Sequence, residues 1–348
     1  MGKKLYYYVT GHTAGGFVNY LETNIKGINN VYVVKHDSHK IKTALFQQLI
    51  AKLTNEYDLE VLLSPLGHGD MEGIIVRKSN LAIVDAQIFT EKRDHSQNVT
   101  VLDLNVLLET SPSQHSNPLL TYHKMTTEAH NLFQMGLDIH DELEEIYINE
   151  MDFSKANDLS DVFIQQLLKD VVSLNQSPKT YKRMFGTNTP EGAINIIPEL
   201  IKPIRQRYFI KGRAGTGKST FMKRIASACE DYGFDVEMYY CSFDPGSIDM
   251  VLVRQLEFCI FDSTDPHEFF PDRQADSIVD MYEALITPGT DERYADEIQT
   301  LNRQYKSYMT SGIDKLKEAR TWLDDVFSDQ SDIGEDTMDH IWQALKLK

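Results

Sequence analysis

Apolar residues along the chain gather into short runs of strand length, and between some of these runs the spacing changes to that of a helix. The runs at 31–34, 59–63 and 81–84 form one set, and those at 208–210, 236–241 and 258–261 form a second. Runs this short, rich in Val, Ile, Tyr and Phe, predict buried strands. Between the first and second run of each set, apolar positions recur three or four apart over 43–53 and 219–231, which predicts a helix lying on a sheet. Strands and helices in alternation predict a parallel sheet with covered faces. Two further apolar runs, 73–76 and 250–253, are too short for periodicity to separate strand from helix. A long amphipathic stretch follows each set. Residues 119–148 carry Leu120, Met125, His130, Phe133, Leu137, Leu143 and Tyr147, and residues 294–327 carry Ile298, Leu301, Tyr305, Met309, Ile313, Leu316, Leu323 and Phe327. Each predicts part of a helical hairpin appended to the sheet before it, with the last turns at 336–347.

The two sets are copies of one another. With a shift of 176 (208 − 32), Tyr32 falls on Tyr208, Lys35 on Lys211, Lys42 on Lys218, Thr13 on Thr189 and Gly16 on Gly192. One residue of slippage later, at 177 (235 − 58), Asp58 falls on Asp235, Glu60 on Glu237, Gly69 on Gly246, Arg77 on Arg254 and Asp85 on Asp262. Self-similarity over this length predicts a tandem duplication, with one α/β domain at 1–174 and a second at 183–348, joined by a linker at 175–182. The string SPSQHSNP at 111–118 reads as a loop. The T-x-x-G segments at 13–16 and 189–192 persist in both copies and read as structural turns.

Chemistry concentrates in the second copy, where KGRAGTGKST lies between a strand and a helix. Gly212, Gly217, Lys218 and Ser219 satisfy the phosphate-loop spacing, and Arg213, Ala214, Gly215, Thr216 and Thr220 complete the candidate binding segment. Glycines let backbone N–H groups converge on an anion, and the helix that follows aims its positive end at the same point. Lys218 would reach the outer phosphates, and Ser219 would offer its hydroxyl to Mg²⁺. Asp262, ending the apolar run LEFCIFD, is the candidate second ligand of that metal. Ser263 follows it where many ATPases carry a Glu, so Asp244, Asp249 and Asp265 are the candidates for orienting water. Arg254 is the candidate for neutralising the transferred phosphoryl group, with Arg273 and Arg293 as others, although its copy at Arg77 fits a shared structural ion pair equally well. In the first copy the loop reads KHDSHKIKTA, so His36, His39 and Ile41 stand where the second has Gly212, Gly215 and Gly217. A β-branched residue does not adopt the glycine-type backbone, which predicts a domain that kept the fold, Lys42, Thr43 and Asp85 but lost the triphosphate site. A second reading of that half gathers His36, His39, His68, Asp70 and Asp85 at the carboxyl ends of strands as ligands for Zn²⁺.

Composition narrows the partners. The 348 residues carry a formal charge of −17, which argues against nucleic acid, whose phosphates are held by clustered Lys and Arg. Cys229, Cys241 and Cys259 are odd in number and lie in apolar surroundings, so they read as small buried hydrophobes of a reducing, cytoplasmic protein without a membrane span. The acidic runs at 138–161 and 324–339 read as solvated helix faces and turns, or as a docking face for a protein partner or a second copy.

KGRAGTGKST resembles the phosphate loop of the P-loop NTPase superfamily. Together with GHTAGGF, CSFDPGSID and FDSTDPH, it makes nearly the whole chain similar to bacterial proteins with two P-loop-type domains in tandem, labelled as ATPases or nucleotide-kinase-like. The resemblance implies two tandem P-loop NTPase-like domains and a bound ATP. The function expected is that of a Mg²⁺-dependent ATP-binding protein and ATPase with one competent site. The alternatives are a nucleotide or small-metabolite kinase, and a nucleotide-gated interaction module.

Overall fold

The computed structural model describes residues 2–90, 97–108, 118–265, 268–327 and 333–345. Most of the loop expected at 111–118, and Pro266 and His267 of the FDSTDPH string, lie outside the described residues.

The strands, in chain order, are β1 (Lys4–Tyr8), β2 (Thr10–Thr13), β3 (Gly16–Asn19), β4 (Asn30–Lys35), β5 (Leu59–Leu63), β6 (Met71–Val76), β7 (Leu81–Asp85) and β8 (Asn98–Asp103). Their counterparts are β9 (Thr180–Arg183), β10 (Gly186–Thr189), β11 (Gly192–Asn195), β12 (Gln206–Lys211), β13 (Val236–Tyr240), β14 (Ile248–Val253), β15 (Phe258–Asp262) and β16 (Ser277–Asp280). The helices of ten residues or more are α1 (His39–Leu53), α2 (Pro118–Asn149), α3 (Phe153–Leu168), α4 (Lys218–Asp231), α5 (Ala295–Val326) and α6 (Glu335–Ala344). None of the described helices is long and apolar enough to cross a membrane.

Each half builds a six-stranded sheet with the same order, β1-β5-β6-β7-β4-β8 and β9-β13-β14-β15-β12-β16. The sheets are mixed, which corrects the expectation of parallel ones. The ambiguous runs are strands β6 and β14, and each lies antiparallel to both neighbours. The cause is connection length: 64–70 and 241–247 are too short for the crossover a parallel neighbour needs. The remaining pairs are parallel, so β4, β7, β12 and β15 still deliver their carboxyl ends to one edge.

The T-x-x-G segments turn the hairpins β2–β3 and β10–β11, and these join through β2 and β10 into a third sheet, β11-β10-β2-β3. The join pairs His12 with Asn188, and beside it Tyr8 and Met184 exchange backbone hydrogen bonds of 3.0 and 2.9 Å. Both pairs are separated by the repeat shift (188 − 12 = 184 − 8 = 176), so the halves meet as the two sides of an isologous dimer would.

The inner faces of both large sheets bury into one apolar cluster, in which Tyr7, Val33, Leu62 and Val84 meet Phe185, Phe209, Tyr239 and Phe261. The outer faces are covered crosswise. On the first sheet, α1 is joined by the chain's last helix, which inserts Met338, Ile341 and Leu345 among Val34, Leu45 and Ile83. On the second sheet, α4 is joined by α3, whose Leu168, Phe163 and Ile164 pack with Ile210, Phe221 and Ile260. Hairpins were expected to sit on the sheet preceding them; instead each sends its second helix to the other half. The boundaries 1–174 and 183–348 therefore divide the sequence but not the packing, and Thr180, Tyr181 and Lys182 of the expected linker are already in β9.

Between the halves α2 and α5 lie against each other. Gly136 and Gly312 each face an aromatic residue of the opposite helix, Tyr308 and Phe133.

Candidate functional site

Residues 212–217 link β12 to α4 at the carboxyl edge of the second sheet. Gly215 and Gly217 have φ of +73° and +79°, a region that residues with a Cβ rarely enter. A Cβ on Gly212 would stand 2.5 Å from the Thr216 hydroxyl, which donates to the Arg213 carbonyl at 2.8 Å and closes the turn. The Lys218 ammonium donates to the same carbonyl at 2.6 Å and lies 3.5 Å from the Asp262 carboxylate. Ser219, in the first turn of α4, accepts the Ile248 N–H at 3.1 Å, whereas Thr220 is exposed and stays out of the group.

Asp262 ends β15 directly beside Ile210 of β12 and accepts both the N–H and the hydroxyl of Thr264, at 3.1 and 2.6 Å. Asp249 of β14 completes an acidic pair with it. Burial, then the Asp262 charge, push the Asp249 carboxyl up to about 7, a value suited to exchanging protons near neutrality. Asp244 sits at the rim, accepting the Gly246 N–H at 2.8 Å.

Three side chains at this site escaped the sequence reading, which placed them in a solvated acidic run: His140, Asp141 and Glu144 of α2. His140 lies edge-on to the rings of Phe243 and Tyr305, and burial followed by the Lys218 charge lowers its pKa. Burial raises Glu144 while Lys218 and the Gly215 amide pull it down. The i, i+4 spacing of His140 and Glu144 and the i, i+3 spacing of Asp141 and Glu144 were the available signal, but nothing in the sequence says which half that face meets.

The arginines do not join the site. Arg254 precedes β15 and so lies at the sheet's opposite edge, where it forks onto Glu237 at 2.5 and 2.9 Å. Its copy Arg77 forks onto Glu60, so the shared ion pair is the role of both. Arg213 pairs with Asp291, Arg273 caps the carbonyls of Lys202 and Ile204, and Arg293 holds Glu150. Asp265 is tied to Lys306 at the surface.

The first half differs in the loop itself. α1 begins at His39, the counterpart of Gly215 (215 − 39 = 176), three residues earlier than α4 in the repeat register. Ser38 caps this added turn by accepting from the Ile41 N–H, and helix fills the space a cradle would use. Lys42 is buried and spends its charge on Asp85 at 2.6 Å. Glu72, the counterpart of Asp249, is pushed up to about 8 by burial and accepts from Thr10 and Ser64 at 2.5 and 3.1 Å. The expected Zn²⁺ ligands do not converge: His36 accepts the Ser38 N–H, His39 faces Asp324, Asp70 pairs with Arg320, and His68 is exposed. No group of three His, Cys, Asp or Glu poised for a metal occurs among the described residues. What remains is a cavity of about 50 Å³ lined by His12, His39, Glu72, Asp85, Tyr122 and Leu323, among others.

Comparison with protein-family models, with curated proteins and with solved structures returns no match.

Proposed function

We propose that the second half binds a nucleoside triphosphate with Mg²⁺ and hydrolyses it, as a P-loop-type ATPase, and that the first half is a non-binding copy. The observation that carries this reading is the contrast between equivalent loops: left-handed glycines with Lys218 and Asp262 beside them in one, a capped helical turn and a buried Lys42–Asp85 pair in the other. Backbone amides of 213–219 and the start of α4 would receive the phosphates, with Lys218 neutralising the outer ones. The Ser219 hydroxyl and the Asp262 carboxylate are hard oxygen donors that suit Mg²⁺, an ion usually held by one or two protein oxygens together with phosphate and water. When bound, that ion would offset charge on the phosphates. Asp249, poised near neutrality, would take the proton of the attacking water.

Titration calorimetry with ATP and Mg²⁺ tests the binding step. Lys218→Ala is expected to weaken affinity by about a hundredfold, the scale of one lost charge-assisted contact. Equal affinity in wild type and variant would refute the reading. Phosphate release by Asp249→Asn, expected to fall by about 10² or more with ATP affinity retained, tests the proposed base.

A further inference from the structure

The first half has lost the phosphate cradle, but the space beside it is not filled. Glu72 and Asp85, the counterparts of Asp249 and Asp262, line a cavity of about 50 Å³. At about 10–15 Å³ for each water-sized atom, that is room for roughly three to five non-hydrogen atoms. Leu66, Ile88, Leu119 and Leu323 give the cavity an apolar wall, and Phe17 and Tyr122 add aromatic rings. Phe17, Gln87 and His123 belong to the lining and are themselves exposed, so the cavity opens to solvent. The polar lining is unbalanced in charge. Asp37, Glu72 and Asp85 supply three carboxyls, and among the described residues no Lys or Arg lines the cavity. Lys42, the cation nearby, is committed to Asp85 at 2.6 Å. The imidazoles do not make up the deficit, because burial lowers His12 to about 3 and His39 to about 4 and leaves both rings neutral. His39 is only 4% exposed, its Nε2 stands 3.3 Å from Asp324, and its Nδ1 has no hydrogen-bond partner among the described residues. A buried ring nitrogen left so has given up water without a bond in return.

We propose that this cavity binds a small organic cation, a primary ammonium on a short apolar chain, with the ammonium donating to Glu72 and His39 and the chain lying against Leu66, Ile88 and Leu323. Such a ligand supplies what the lining lacks, three N–H donors and one positive charge. Acceptors are at hand: an ionised carboxylate offers about four lone-pair sites, and Thr10 and Ser64 donate to Glu72 without exhausting them. Burial, then the Asp85 charge, keep Glu72 protonated at neutral pH in the free protein, and an ammonium alongside is the partner that ionises it. Aromatic rings such as those of Phe17 and Tyr122 also favour a cation over an anion. The half is non-binding toward triphosphates for the same reason, since an anion would meet carboxyls with no free cation among them. The cavity is separate from the loop at 212–217, so the proposal stands whether or not that loop holds a nucleotide.

The test is an NMR titration of the full chain with propylammonium, propanol and propionate, at physiological salt so that exposed ion pairs are screened. Propylammonium should bind with a Kd of about 1 mM or below, within the reach of so few heavy atoms. Propanol, which keeps the shape without the charge, should bind at least about tenfold more weakly, the scale of one charge-assisted contact, and propionate should not bind. Glu72→Gln, which copies the protonated side chain, should keep the fold by circular dichroism and lose about tenfold in affinity for propylammonium. Asp249→Asn, the matching change in the second half, should bind propylammonium as wild type does. Wild type that binds no propylammonium at tens of millimolar overturns the proposal, as does equal affinity for propanol or for propionate. Unchanged affinity in folded Glu72→Gln overturns it too. Loss of binding in Asp249→Asn with none in Glu72→Gln would put the cation in the second half and overturn it likewise.

Discussion

Arg183 is fully buried where the halves meet, occupying in the second copy the place of Tyr7 in the first (183 − 7 = 176). Its guanidinium lies 3.8 Å from the centre of the Tyr7 ring and bridges Glu60 at 3.1 Å and Glu237 at 2.9 Å, each of which also holds its own half's arginine. Burial alone would raise both glutamates, but the arginine charges hold them below the usual carboxylate range. Groups with depressed folded pKa values lend stability above their unfolded pKa and lose it as pH falls, so this network weakens under acid. Arg183→Met leaves two buried carboxylates short of a partner and is expected to cost about 3–5 kcal/mol in urea unfolding at neutral pH. Glu72 works the other way. Its folded pKa is raised from 4.5 to about 8, so the stability tied to its protonated form is full below pH 4.5 and drains as pH rises toward 8. Glu72→Gln should flatten that part of the stability–pH curve, a comparison of urea midpoints across pH 5 to 9 being the check. Residue identity was legible in sequence at Lys42, Asp85 and Arg254, but partners were not. Only the fold shows that Lys42 is consumed by Asp85 and that Arg254 lies at the far edge of its sheet.

Periodicity found the elements well where one face is apolar and the other polar. It located β5 and the long helices α2 and α5 closely, but passed over α3, whose acidic residues read as solvated surface. It could not orient β6 and β14, because a run of apolar residues carries no direction; the length of the connection does. The packing of α2 on α5 was equally silent in sequence, since it depends on two mid-helix glycines, Gly136 and Gly312, whose neighbours only the fold supplies. A methyl group on Gly312 would drive into the buried Phe133 ring, whereas on Gly136 it would meet the Tyr308 Cβ at 3.3 Å. Gly312→Ala is expected to lower stability by about 1–3 kcal/mol through overpacking, even after the gain of roughly 1 kcal/mol in helix propensity. Gly136→Ala should fall within about 1 kcal/mol of wild type by the same balance. Thermal melting of the two variants side by side separates local fit from propensity.

The molecule is held together by exchange: one inner core is common to both sheets, and each outer face takes a helix from across the repeat. Fragments cut at 1–174 and 183–348 would each lose the cover of their own sheet and carry an unpartnered helix. Expressed separately they should lack near-ultraviolet circular dichroism, and co-expressed they should elute together at the size of the intact chain; two independently folded fragments would contradict this. The exchange also sets an order in time. α3 precedes the sheet it covers, so everything the second half needs for its outer face has been made by Leu285. The first half waits for α6, whose Ala344 carbonyl accepts the Tyr32 hydroxyl across 312 positions of sequence. As the chain is synthesised, the outer face of the first sheet stays open from the completion of β8 until α6 has emerged, a long interval for apolar surface to lie bare. Within a symmetric architecture the older segment of the nascent chain is thus the later to close its outer face, and chaperone demand should fall on the first half.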